Sequence, residues 1–166
     1  RKFCSRSLLP WWWFCCYPMS FAQKNDPQPF FIHCDDVEYG LRHGGTPIIL
    51  NGIQVWHETY EYRQSPIIRY YDTRNPLFVN ELMGYEVNYE ELLEQWDRNI
   101  VQARDNGDYE LEFYLIQGIA DYLKGMNWLN GLDSQKYSEC LMNQEISKDN
   151  NAKLWHKIKE KSSKRS

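Results

Sequence analysis

Apolar positions change their rhythm about a third of the way along the chain. Before residue 57 they fall in short runs at 11–17, 30–32, 47–50 and 53–56, separated by Pro and Gly. Short apolar runs bounded by turn residues read as strands, and Asn51 with Gly52 between the last two reads as a hairpin turn. Asp35 is placed to cap a short helix that Gly44 and Gly45 would end. The first region is therefore expected to be mixed α/β. From residue 65 onward the period becomes helical. Pro66 is suited to open a helix through Ile67, Tyr70, Tyr71 and Arg74 towards Leu82, interrupted at Pro76. Leu92, Leu93, Trp96, Ile100 and Val101 make one amphipathic face that stops at Asp105, Asn106 and Gly107. Further helices are expected at 109–123 and 134–143, and a weaker one at 152–161.

Composition supports a packed core, since 42% of 166 residues are hydrophobic and 16% aromatic. A net charge of −4 argues against a general nucleic-acid binder, and the lysine-rich end reads as a solvated helix fading out. Five cysteines, two of them the adjacent Cys15 and Cys16, fit neither a disulfide framework nor a zinc spacing, so a reducing cytoplasm is the simplest setting. The basic start with its apolar run copies a signal peptide only superficially. Pro10 breaks the apolar run just before a tryptophan triplet, no small-residue cleavage site follows, and a span needs about 20 apolar residues. Without an initiator Met, the chain is expected to start inside a longer protein.

Candidate chemistry concentrates where Asp35, Asp36 and Glu38 follow the run at 30–32, and where His57 ends the run at 53–56. Acids delivered at a strand end beside an imidazole suggest metal-assisted chemistry. Plainer readings compete with this. Asp35 and Glu38 have capping-box spacing, a lone histidine after a strand is usually structural, and tryptophans are usually core or interface residues. Asp36 is harder to dismiss, because adjacent like charges repel and a helix start needs only one or two acids.

Taken in order, several segments carry a resemblance. They are Trp12, Trp13, Phe14 and Cys15 with Pro18; residues 29–32 leading into Asp35, Asp36, Val37, Glu38, Tyr39, Gly40, Leu41 and Arg42; Val55, Trp56 and His57; and residues 70–75. This order resembles the C-terminal half of the galactofuranosyltransferase-like branch of glycosyltransferase family 2, inverting enzymes with the GT-A fold. The match covers roughly the first half of the chain. His33 and Cys34 stand where the family often carries other residues.

The resemblance implies an α/β fold, the C-terminal portion of a GT-A domain with short strands and one helix, followed by a helical region. It divides the chain into an acceptor-side part at 1–65, a helical region at 66–150 and a tail at 151–166. It also implies transfer of a sugar such as galactofuranose from a UDP-sugar to a glycan acceptor, free or lipid-linked. Asp36 would be the general base, Asp35, Glu38, Trp12 and Trp13 would bind the acceptor, and His57 would ligate a divalent ion, Mn or Mg. Arg74 falls in a family motif without an assigned role. The remaining metal ligands belong to an upstream Asp-x-Asp element that this chain lacks, so it is expected to be a partial enzyme with little turnover alone, working in the cytoplasm or peripherally at the inner membrane face. The alternative is a non-catalytic carbohydrate-binding or interaction module.

Overall fold

A computed structural model describes residues 14–46, 48, 50–56 and 65–162. Its elements are helices: α1 (Met19–Ala22), α2 (Asp35–His43), α3 (Ile68–Leu82), α4 (Tyr89–Asp105), α5 (Tyr109–Tyr122), α6 (Met126–Asn130), α7 (Ser134–Met142) and α8 (Lys148–Ser162). Among the described residues there is no β-strand. The expected α/β architecture, a piece of a GT-A domain, is therefore corrected to an all-α one.

The reason is local at each apolar run. Residues 30–32 do not extend, because Phe31 adopts a left-handed backbone (φ 72°) and the carbonyls on either side are taken by side chains of α3. The run at 53–56 is irregular coil, with Ile53, Val55 and Trp56 exposed to solvent, as Ile48 and Leu50 are before the turn. Asn51 and Gly52 do form a turn, with Gly52 at φ 88°, but no ladder joins its flanks among the described residues. A good hairpin turn needs a buried face on its strands to become a hairpin.

Helical periodicity fares better, and three of the helices carry a start signal. Asn88, Asp108 and Asp133 accept hydrogen bonds from the backbone N–H groups of Glu91, Leu111 and Lys136, three N-caps for α4, α5 and α7. Helix α3 runs through Pro76 without a break. Helix α2 ends at Gly44 in a left-handed conformation (φ 65°), as the sequence predicts; its N-cap, however, is Cys34 rather than Asp35, and no side chain caps it.

Helix α5 is the axis. Helices α3, α4 and α8 each pack on it, while α3 and α4 barely touch one another. Phe78, Val79, Ile100, Ile116, Ile119, Leu129, Trp155 and Ile158 fill the main core, and Ile67, Tyr70, Tyr71, Phe113, Tyr114 and Leu141 a second. Gly118 sits where α3 crosses α5. A Cβ there would lie 2.9 Å from both the Thr73 Cβ and the Tyr70 carbonyl oxygen, so only glycine permits this approach. Helix α8 is tied to α4 by the Trp155 indole N–H, which donates to Asp97 Oδ1 (2.8 Å). That bond, with help from Lys159, holds the Asp97 carboxyl below its usual range.

The N-terminal segment is anchored at two places. Phe30 is fully buried in the main core. Tyr17 and Phe21 stack edge-on against Tyr39 and His43, which fixes α1 on α2.

Candidate functional site

The chain between Phe30 and α2 is held in an uncommon shape. Phe31, His33 and Cys34 all have left-handed backbones, at φ 72°, 60° and 70°. Each costs a residue with a side chain roughly 1–2 kcal/mol, so surrounding contacts must over-determine the turn. They come from two neighbours on α3. The Asn75 amide donates to the carbonyls of Ile32 (2.6 Å) and His33 (3.0 Å), and Arg74 donates to that of Phe30 (3.0 Å).

Arg74 is itself completely buried. Its guanidinium also donates to Asn75 Oδ1 (2.9 Å) and the Tyr70 hydroxyl (2.7 Å), and lies over the rings of Tyr70 and Tyr71. The Tyr70 hydroxyl passes a hydrogen bond to the buried Asp121 carboxylate (2.8 Å), which also accepts from Tyr137 (2.7 Å), Gln117 (2.9 Å) and Lys124. Burial pushes the Tyr70 and Tyr137 phenols far above their ordinary range, and Asp121 adds to it, so both remain donors. A buried cation and a buried anion are thus joined through a phenol, each with further partners, which is what keeps such charges tolerable in a core.

This frame presents a small polar surface with one exposed ring. Phe31 is half exposed, its ring 5.9 Å from that of Tyr71. His33 Nδ1 lies 2.7 Å from Asp72 Oδ1, closing the turn onto α3, with Arg69 at 3.7 Å from the other oxygen. Asp35 and Asp36 are half-buried in the first turn of α2, and Asp36 Oδ1 accepts from the Val37 N–H (2.8 Å). Cys34 lies among these acids. Its thiol is pushed up to about 12 by burial and by the negative charges of Asp36, Asp72 and Asp35, so it is a protonated, poorly nucleophilic thiol at neutral pH. Iodoacetamide labelling at mildly alkaline pH, followed by mass spectrometry, is expected to modify exposed Cys16 and Cys140 roughly tenfold faster than Cys34.

The expected site residues are only partly brought together. Asp35 and Asp36 share the N-terminal turn of α2 with the His33 and Asp72 pair nearby. Glu38 is buried and held by Arg42 through Nε (2.8 Å) and Nη2 (3.0 Å), which leaves it facing inward. Trp12, Trp13 and His57 lie outside the described residues. No group of three or more His, Cys, Asp or Glu side chains able to hold a metal ion occurs among the described residues.

Sequence reading missed Phe31, His33 with Asp72, and Asn75, and gave Arg74 no role. One signal was available. Arg74 lies on the same helical stripe as Ile67, Tyr70, Tyr71 and Phe78, and a charged residue on a core-facing stripe marks a buried, partnered charge.

What fold and surface define together is an all-α module with a strained, side-chain-pinned turn. The chain is 38% identical over 77 residues to the galactofuranosyltransferase GlfT2 of Mycolicibacterium smegmatis, and 36% identical over 74 residues to that of Mycobacterium tuberculosis. These stretches are 43% and 41% of this chain, and it spans only 12% of the length of either relative. No family model matches the chain and no solved structure does. The likeness in sequence does not bring the GT-A architecture with it. With no sheet among the described residues and no family model or solved structure matching the chain, the expected membership of that glycosyltransferase family and its sugar-transfer activity are corrected; the base role expected of Asp36 goes with that activity, while His57 lies outside the described residues.

Proposed function

We propose that this chain is a non-catalytic glycan-binding module, with the pinned turn at 31–36 as its contact surface. The observation that carries this is the clamp of Arg74 and Asn75, which holds three left-handed residues in place while the Phe31 ring stays half exposed on the same turn as Asp35 and Asp36. An apolar ring packs against the C–H face of a sugar, and neighbouring carboxylates accept hydrogen bonds from its hydroxyls. Strain of this kind is retained where a rigid presentation serves recognition. The sequence likeness to enzymes named for galactofuranose transfer favours a galactofuranose-containing glycan, free or lipid-linked, as the ligand.

On the same reading the module works in the cytoplasm at the inner face of the cell membrane, associating peripherally where lipid-linked glycans are extended. Among the described residues no helix is long and apolar enough to cross a membrane.

The direct test is calorimetric titration with a galactofuranosyl oligosaccharide. Binding is expected, and Phe31→Ala should weaken it roughly tenfold, the loss of about one stacking contact. Equal affinity of wild type and Phe31→Ala, with the fold intact by circular dichroism, would rule the turn out.

A further inference from the structure

Because α3 and α4 both rest on α5 and scarcely meet, a groove of about 340 Å³ opens between them. Its floor is apolar, with Ile100 of α4 and Leu115 and Ile119 of α5. Its walls are mixed: Asn80 lines it beside Leu77 from α3, and Gln95 and Asn99 beside Leu92 and Trp96 from α4.

We propose that this groove binds a neutral sugar ring, extending the glycan surface that begins at the pinned turn. The inference rests on the glycan-binding reading and adds a second subsite to it. Three features select the ligand. Amide side chains both donate and accept, which matches hydroxyl groups, themselves donor and acceptor at once. Among the described lining residues there is no lysine, arginine or histidine, and the only charged side chain, Asp72, is already engaged by His33 and Arg69 on its outer side. A diphosphate would find no counter-charge there, so the groove selects against nucleotide sugars. Its volume lies at the small end of the usual range for ligand pockets, about 300–1,000 Å³, suited to one or two sugar rings. Asp72 belongs to both the groove and the turn, so a single glycan reaching past His33 would meet both.

The test is side-chain amide mapping by NMR on the whole isotope-labelled chain, titrated with methyl β-galactofuranoside, methyl β-galactopyranoside and UDP-galactose. The expected result is saturable movement of the Asn80, Gln95 and Asn99 amide signals with a neutral glycoside and none with UDP-galactose. The double variant N80L/N99L should weaken glycoside binding roughly tenfold, the loss of about two neutral hydrogen bonds. Phe31→Ala should leave the groove shifts in place. Unmoved groove amides at saturating glycoside, or equal movement with UDP-galactose, would overturn the groove. If Phe31→Ala has no effect on oligosaccharide affinity while the groove amides still respond, the pinned turn fails and the groove stands. Wild-type mapping decides the matter even where the double variant folds poorly.

Discussion

Arg74→Ala is expected to lower the free energy of unfolding by about 3–5 kcal/mol, because it empties a fully buried site and leaves buried acceptors without a donor. Several losses coincide in this one change. The Asp121 carboxylate stays buried but loses the cation that reaches it through Tyr70. The Phe30 carbonyl loses its guanidinium donor, and two aromatic rings lose the plane packed on them. Urea unfolding followed by tryptophan fluorescence measures the effect. Arg74→Lys separates charge from geometry: one ammonium cannot reproduce the planar fork that serves Asn75, Tyr70 and Phe30 together, so about half the loss should persist. A shift below about 1 kcal/mol for Arg74→Ala would mean that the network contributes little to holding the fold.

Gly118→Val should cost about 2–3 kcal/mol, despite replacing a poor helix former in the middle of α5. On propensity alone a larger residue there would favour the helix. Sterics decide otherwise, because the added carbon meets the α3 backbone at Tyr70 and the rigid branched side chain of Thr73. Backbone cannot swing aside, so the two helices must part and the core around Ile116 and Ile119 opens. Gly118→Ala is the milder member of the pair, and Thr73→Ser with Gly118→Ala should recover part of its loss by removing the Thr73 methyl, 3.2 Å from the added carbon. Additive behaviour of those two changes would place the clash elsewhere.

Helices were legible in the sequence because their signals are local. Asn88, Asp108 and Asp133 announce starts within a residue or two, and the stripe Leu92, Trp96, Ile100 can only face one way. The apolar runs of the first third misled for the same reason in reverse. Strand formation depends on a partner that periodicity does not contain, and Ile53, Val55 and Trp56 have the composition of a strand without its neighbour among the described residues. The candidate site was half legible. Asp35 and Asp36 drew notice by their charge density, whereas His33 with Asp72 joins residues 39 positions apart, and Asn75 captures carbonyls more than 40 positions away. No spacing rule reaches that far.

Asp121 gathers hydroxyls from α3 and α7 and an amide and an ammonium from α5 and its end on one carboxylate. The shape of the segment at 30–34 is thus written in letters spread across a hundred positions. Residues 14–56 transplanted to another scaffold would carry the alphabet of the surface without its grammar.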